Sequence, residues 1–290
     1  MSAPVEAGRV MGIPDQNSAV QETWPAEVHP TERASGRGSA STEGCLVVNA
    51  DDWGRNQETT QRTLDCLRRK TVSSVSAMVF MADSERAAAV ARESLVDAGL
   101  HLNFTAPLSA AGVPQRLVEH HGKIASYLLG HRLARVVLHP GLTNSFEYVA
   151  HTQLEEFHRL YGHAPERIDG HHHMHLCANV LFHHLLPSGT IARRNFSFQP
   201  GEKSFWNRYY RRLVDLRLAK RHRLVDFLFS LVPFEPSDRL RRIASVARRH
   251  AVELETHPVN PDEYEFLMQG QFLLAVADVA VAPHFALSGA

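Results

Sequence analysis

Four histidines fall within five positions of the stretch ERIDGHHHMHL, at His171, His172, His173 and His175. Each imidazole is a potential cation near neutral pH, with an unperturbed pKa of about 6.5. Crowding them is costly unless something holds them neutral, and a metal ion does so because imidazole ligates in its neutral form. Two more segments carry fitting chemistry: NADDWG sets Asp51 beside Asp52, and GLHLNF supplies His101 and Asn103. One carboxylate and two imidazoles, with coordination positions left open, suit a borderline divalent cation. A fourth segment, ELETHP, contains His257, which becomes a candidate general acid if a metal site lies nearby.

Taken singly, these segments have plain readings. An Asp pair after a strand often makes a turn or a helix cap. His101 alone could be a hydrogen-bonded core residue, and His257 alone a turn histidine. Their shared placement argues otherwise, because each lies at or just beyond the C-terminal end of an expected strand. In β/α barrels the loops converge on that rim, and active sites form there. Strand alternation puts His101 and Asn103 on one face. If the extended conformation continued through DGHHHMH, then Asp169, His171, His173 and His175 would also share a face.

The elements that must position these residues are readable from apolar patterning. CLVVNADDWG is a buried strand running into a loop, and VSSVSAMVFM, AGLHLNF, ERID, TIARR, AVELETHP and VAVAP read as further strands. Helices are expected at about 56–70, 84–95, 124–138, 145–161, 179–186, 238–250 and 262–269. Strands alternating with helices imply parallel β/α units, because parallel strands need crossovers. About seven such units form an α/β, seven-stranded barrel-like domain over 45–290. Residues 1–44 are rich in Ala, Gly, Ser, Pro and Glu and are expected to be a disordered N-terminal tail.

Composition narrows the function. Lys+Arg and Asp+Glu balance at 31 each, giving no reason to expect a nucleic-acid partner. Three isolated cysteines, Cys45, Cys66 and Cys177, include no CxxC pair and suggest a reducing, cytoplasmic setting. No signal peptide is expected, and the most apolar short run, near Phe227–Phe234, is well short of the roughly 20 residues that span a bilayer.

The motifs NADDWG, GLHLNF, DGHHHMH and ELETHP, in this order, resemble the YdjC-like carbohydrate deacetylases, which include chitooligosaccharide deacetylases. The resemblance implies a seven-stranded barrel-like fold of the polysaccharide deacetylase type, a divalent metal and removal of acetyl groups from N-acetylated sugars. It implies metal ligation by Asp52, His101 and His171, with Asp51 as catalytic base and His257 as acid. Asn103, Asp169, His173 and His175 would then face substrate or support the ligands. His175 follows His171 at an HxxxH spacing, so it competes for the ligand role. The family habit is Mg²⁺, whereas the softness of two imidazoles favours Zn²⁺ or a similar ion.

Residues 196–240 match none of these motifs and read as a basic insertion. From Lys203 to Arg223 there are eight Lys/Arg residues and only Asp215 opposing them. A solvated helix is the plain reading; a membrane-surface or lipid-linked-substrate contact is the functional one. Of two rival functions, one keeps the same site residues, as a metal-dependent hydrolase of another amide or a phosphoester; the other is a non-catalytic anion-binding module using segment 203–223. Homo-oligomerisation is left open.

Overall fold

In the computed structural model, residues 44–131, 133–198, 203–282 and 285 are described. All but the last residue of the expected tail lies outside the described residues. β1 (Cys45–Trp53) is apolar on both faces up to Asn49, which suits a central parallel strand, and every residue after Cys45 is buried. Asn56 caps α1 (Gln57–Arg68) by accepting a hydrogen bond from the Thr59 amide. The chain continues through β2 (Ser74–Ala77), α2 (Ser84–Glu93), β3 (Asp97–Leu102), α3 (Gln115–Gly130) and α4 (Thr143–Tyr161). There follow β4 (Arg167–Gly170), α5 (Ala178–Phe182), β5 (Ile191–Ala192), α6 (Phe205–Leu218) and β6 (Phe227–Ser230). Last come α7 (Arg239–Ala247), β7 (Ala251–Thr256), α8 (Pro261–Met268) and α9 (Gly270–Ala275).

The seven strands form one parallel sheet in the order β5-β4-β3-β2-β1-β7-β6. It curls into a half-barrel. The outer strands approach each other through a bridge between Ile191 and Arg223 and through the Ser197 amide donating to the Leu228 carbonyl at 2.9 Å. Alanines of α2 and Phe146, Val149 and Phe157 of α4 join Leu46, Val48, Leu100 and Leu254 in one apolar core. Among the described residues, no helix is long and apolar enough to cross a membrane.

Seven strands were expected, but one is different. Among its described residues, the VAVAP segment makes a single bridge, Val281 to Leu46. The seventh strand is β6, which lies inside the stretch read as an insertion and pairs with β7 from Phe227 to Ser230. The helix expected at 124–138 instead begins at Gln115, behind Pro114, and ends at Gly130.

Two departures from regular structure shape the site. The β1–β2 register slips between Ala50 and Trp53, and Asp52 within that irregularity adopts φ +65°, in the left-handed region. Beyond β4 the chain turns at once into a 3-10 segment, His171–Leu176, in which His172 and His173 also have positive φ, at 55° and 56°. Gly170 permits that turn: a Cβ there would meet the His175 amide nitrogen at 3.0 Å and the Leu102 carbonyl oxygen at 3.1 Å.

Candidate metal and acid–base site

The strand register brings the motifs together. His101 of β3 stands opposite Asp169 of β4, and Asn49 of β1 stands opposite Glu255 of β7. Adjacent residues in a regular strand point to opposite faces. The slip in β1 breaks that rule, so that Asp51 and Asp52 both approach His101: its Nε2 lies 3.5 Å from Asp52 Oδ1 and 3.9 Å from Asp51 Oδ2. His171 reaches the same point from the 3-10 turn, with Nδ1 2.9 Å from Asp52 Oδ1.

Asp52, His101 and His171 could hold a metal ion, with one donor atom from each lying within 4.8 Å of the others. Among the described residues two other trios meet that distance, Asp51–His101–Asp169 and Asp51–Glu255–His257. Hydrogen bonding separates them. The carboxylates of Asp51, Asp169 and Glu255 already pair with Arg193. By contrast, Asp52 Oδ1 and His101 Nε2 are buried and make no well-directed hydrogen bond, and the groups nearest Asp52 Oδ1 are the imidazoles of the same trio, His171 Nδ1 at 2.9 Å and His101 Nε2 at 3.5 Å. Buried polar atoms left unsatisfied cost about 1–3 kcal/mol each, so two aimed at one point suit the binding of a cation.

The supporting residues fix that geometry. Asp169 Oδ1 accepts from His101 Nδ1 at 2.7 Å, leaving Nε2 directed at the site. The other Asp169 oxygen accepts from Ser76 at 2.5 Å and Arg193 at 2.9 Å. Arg55 donates to Asp52 Oδ2 at 2.9 Å, so only Oδ1 is free to ligate. Gly99 makes room for Arg167, whose Cζ would lie 2.7 Å from a Cβ at that position; Arg167 in turn donates to Ser74, Ser76 and Asp169.

Arg193, just past β5, was missed in the sequence. It is buried and forms a bidentate pair with Asp51, at 2.6 and 2.7 Å, while also meeting Asp169, Glu253 and Glu255. Its only sequence signal was an arginine directly following a short apolar strand. Asn49 adds a 2.9 Å hydrogen bond to Asp51 Oδ1, which leaves Oδ2 as the oxygen facing both His101 and His257. His257 Nε2 is 3.9 Å from Asp51 Oδ2. Glu263 secures the strand end by accepting from the His257 amide at 2.9 Å and from Thr256 Oγ1 at 2.8 Å.

Electrostatics follow from this crowding. Burial alone would raise the Asp52 carboxyl, but His101 and His171 override it and hold the group well below the usual carboxylate range. Burial would lower His101, yet the surrounding Asp51 and Asp169 raise it to about 10 in the metal-free protein. His257 is opposed by burial in the same way, and Asp51 and Glu255 raise it above its ordinary value. Burial pushes Glu253 up to about 7, despite Arg193 beside it.

The expected common face for Asp169, His171, His173 and His175 does not form, because the extended conformation stops at Gly170. His171 turns to Asp52, His172 meets Thr105 Oγ1 at 3.1 Å, and His173 pairs with Glu255 at 3.3 Å. His175 points away: its Nε2 contacts the Arg193 carbonyl at 2.9 Å, and burial and His173 lower its pKa to about 3. It therefore supports the turn instead of competing for the ligand position. Asn103 also serves the backbone, as its Oδ1 accepts from the amides of Thr105 and Ala106 while Nδ2 donates to the Ala106 carbonyl.

Comparison with known proteins shows what the chain is similar to. The chain is 31% identical over 162 residues to a carbohydrate deacetylase of Danio rerio, covering 54% of this chain and 50% of that protein. It is 30% identical over 139 residues to a chitooligosaccharide deacetylase of Serratia marcescens, covering 46% and 51%. The matches thus span about half the length of these relatives. A crystal structure of a candidate cellobiose-phosphate cleavage protein from Enterococcus faecalis shares the fold, with a TM-score of 0.58 at 17% identity over 83% of this chain and 97% of that one. A model of the family described as YdjC-like protein matches residues 45–270, from the first strand to the helix after β7, and the chain belongs to that family.

Proposed function

We propose that the protein is a metal-dependent hydrolase that removes the acetyl group from an N-acetylated sugar, releasing acetate and a free amino sugar. The observation that carries this reading is the pairing of two kinds of group within 3.9 Å: the unsatisfied donors of Asp52 and His101, and an Asp51–His257 acid–base couple. The activities named for the deacetylase relatives supply the substrate class.

Asp52, His101 and His171 would hold one divalent ion, which supplies Lewis acidity toward a carbonyl oxygen and toward water. Two nitrogen donors with one oxygen favour Zn²⁺ or a similar ion over Mg²⁺, the ion suggested by the family resemblance. Asp51 Oδ2 takes a proton from the attacking water, whose oxygen bonds to the acetyl carbon. The bidentate Arg193 pair holds this carboxylate in one orientation during the transfer. As the carbon–nitrogen bond breaks, His257 donates its Nε2 proton to the departing amine. Against burial, Asp51 and Glu255 beside it raise its pKa above the ordinary value, which favours the protonated, donating form. His173, half-buried between Glu255 and Phe196, would meet the sugar.

The test is mass spectrometry of N-acetylated glycans incubated with the protein and Mg²⁺, Mn²⁺, Zn²⁺ or Co²⁺. Loss of one acetyl group, dependent on added metal and abolished by a chelator, is the expected result. Cleavage of phosphoesters with every acetylated sugar untouched would overturn the substrate class and favour the rival hydrolase.

A further inference from the structure

The outer face of α6 has the wrong chemistry for a solvated helix. Val214, Asp215 and Leu218 bury one side. At 3.6 residues per turn, Phe205, Trp206, Tyr209, Leu213 and Leu216 fall within an arc of about 100° on the opposite side. All five are exposed, Trp206 at 75% and Phe205 at 69%. Arg208 and Arg212 line one border of the arc and Arg217 the other, all three exposed. The sole acid of α6, Asp215, is turned inward and held by Arg194 and Asn195.

We propose that this face docks the protein on a membrane surface carrying anionic lipid head groups, with α6 lying in the plane of the interface. Charge and side-chain type together favour this occupant over others. An apolar arc containing Trp, Tyr, Phe and Leu suits the boundary between head groups and acyl chains, and flanking arginines suit lipid phosphates. A nucleic-acid surface would not need leucines at the centre of the arc. The exposed Phe182 extends the patch, lying under the Arg217 guanidinium at 4.6 Å.

The docked helix would also stand at the rim of the site. Arg194 and Asn195, which hold Asp215, immediately follow Arg193, the partner of Asp51. Phe198 packs under Arg211 of α6 at 5.0 Å and lies 6.4 Å from Phe196, whose ring meets His173. A membrane-anchored acetylated sugar would thus be presented beside the opening. The docking itself does not depend on the hydrolase reading, because vesicle binding is read without catalysis.

The experiment is flotation of the whole protein with vesicles of phosphatidylcholine, alone or mixed with phosphatidylglycerol. Binding is expected only to the mixed vesicles and should weaken with added salt. Trp206→Ala with Leu213→Ser should reduce binding by about tenfold or more. Arg208→Gln with Arg212→Gln should do so to a similar degree. Melting temperatures should match the parent, since these side chains are exposed. Absence of vesicle binding overturns the proposal, as does binding that is insensitive to Trp206→Ala with Leu213→Ser. A dimer in the absence of lipid that the apolar variant disperses would instead make the face a contact between copies. Tight binding to a single-stranded oligonucleotide in preference to vesicles would likewise overturn it.

Discussion

Replacing Arg193 by Met keeps most of the side-chain volume and removes the guanidinium that four carboxylates share. Of those four, Glu253 is pushed up to about 7 and is partly neutral near pH 7, so Asp51, Asp169 and Glu255 are the charges left facing the gap. Arg167, 3.4 Å from Asp169, and the His101 imidazole, raised against burial to about 10 between Asp51 and Asp169, offset part of that charge but leave Glu255 without either. Breaking a buried ion pair by removing one partner costs about 3–5 kcal/mol. Proton uptake limits the loss: neutralising one ordinary carboxylate at pH 7 costs roughly 4 kcal/mol, and at pH 5.5 roughly 2 kcal/mol. In the parent, Asp169 and Glu255 are held low, Glu255 at about 2, mainly by Arg193 working against burial. Their stabilisation is present above the unfolded pKa near 4 and lost as pH falls toward the folded values. In the variant the sign reverses. A carboxyl without the guanidinium has a folded pKa above its unfolded one, so stability falls as pH rises through that window. The metal-free variant should melt about 10 °C below the parent at pH 7 and roughly half as far below it at pH 5.5. Circular dichroism melts at both pH values with a chelator present are the assay. An equal deficit at both values, or one of less than about 3 °C at pH 7, would refute the view of Arg193 as the charge balancing this core.

Other tests address the chemistry. Asp52→Asn should lower metal occupancy, with activity partly recovered at high metal concentration. Asp51→Asn should retain metal while kcat drops by about 10²–10⁴-fold; elemental analysis and kinetics of both variants over a metal titration check this, and exchanged outcomes would exchange the roles. His101→Ala or His171→Ala should abolish stoichiometric metal. In the parent, metal must displace a proton from His101, whose metal-free pKa is about 10, so affinity should rise by about tenfold per pH unit between pH 6 and 8, measured by competition with a chelating dye. His257→Gln should cost about 10²–10⁴-fold in kcat and remove the alkaline limb of the pH–rate profile, since the raised His257 acts in its protonated form and fails as pH climbs past its pKa.

Much of the site was legible in the sequence because it lies at strand ends. LVVNADD, LHLN and LETHP each switch from apolar residues to ligating ones where a strand meets the rim, and those switches brought out Asp51, Asp52, His101 and His257. The histidine run was legible in kind but not in direction. Left-handed backbone at His172 and His173 has no local signature in residues other than glycine, and it depends on the turn packing against β3. The slip that lets Asp51 and Asp52 converge is hidden for the same reason. Arg193 was missed because its meaning lies in Asp51, Glu253 and Glu255, which come from distant strands. β6 had a visible signal in FLFS, an apolar aromatic run bounded by Asp226 and Pro233, but the basic helix before it drew the whole stretch into one insertion.

The sheet order has a consequence for how the chain can be made. β1 sits between β2, which follows almost at once, and β7, which is synthesised after the other six strands of the sheet. A growing polypeptide therefore holds its central strand half-paired until Ala251–Thr256 leaves the ribosome, with one edge of β1 open throughout. Glu253, Glu255 and His257 arrive with that last strand, after Arg193 has already emerged. Until then Arg193 has Asp51 and Asp169 as carboxylate partners but not the glutamates, and the acid–base couple has only its Asp51 half. Such long-range closure is slow to form. Any early stop before β7 should leave a chain that carries all three proposed metal ligands, yet neither a completed sheet nor a proton donor.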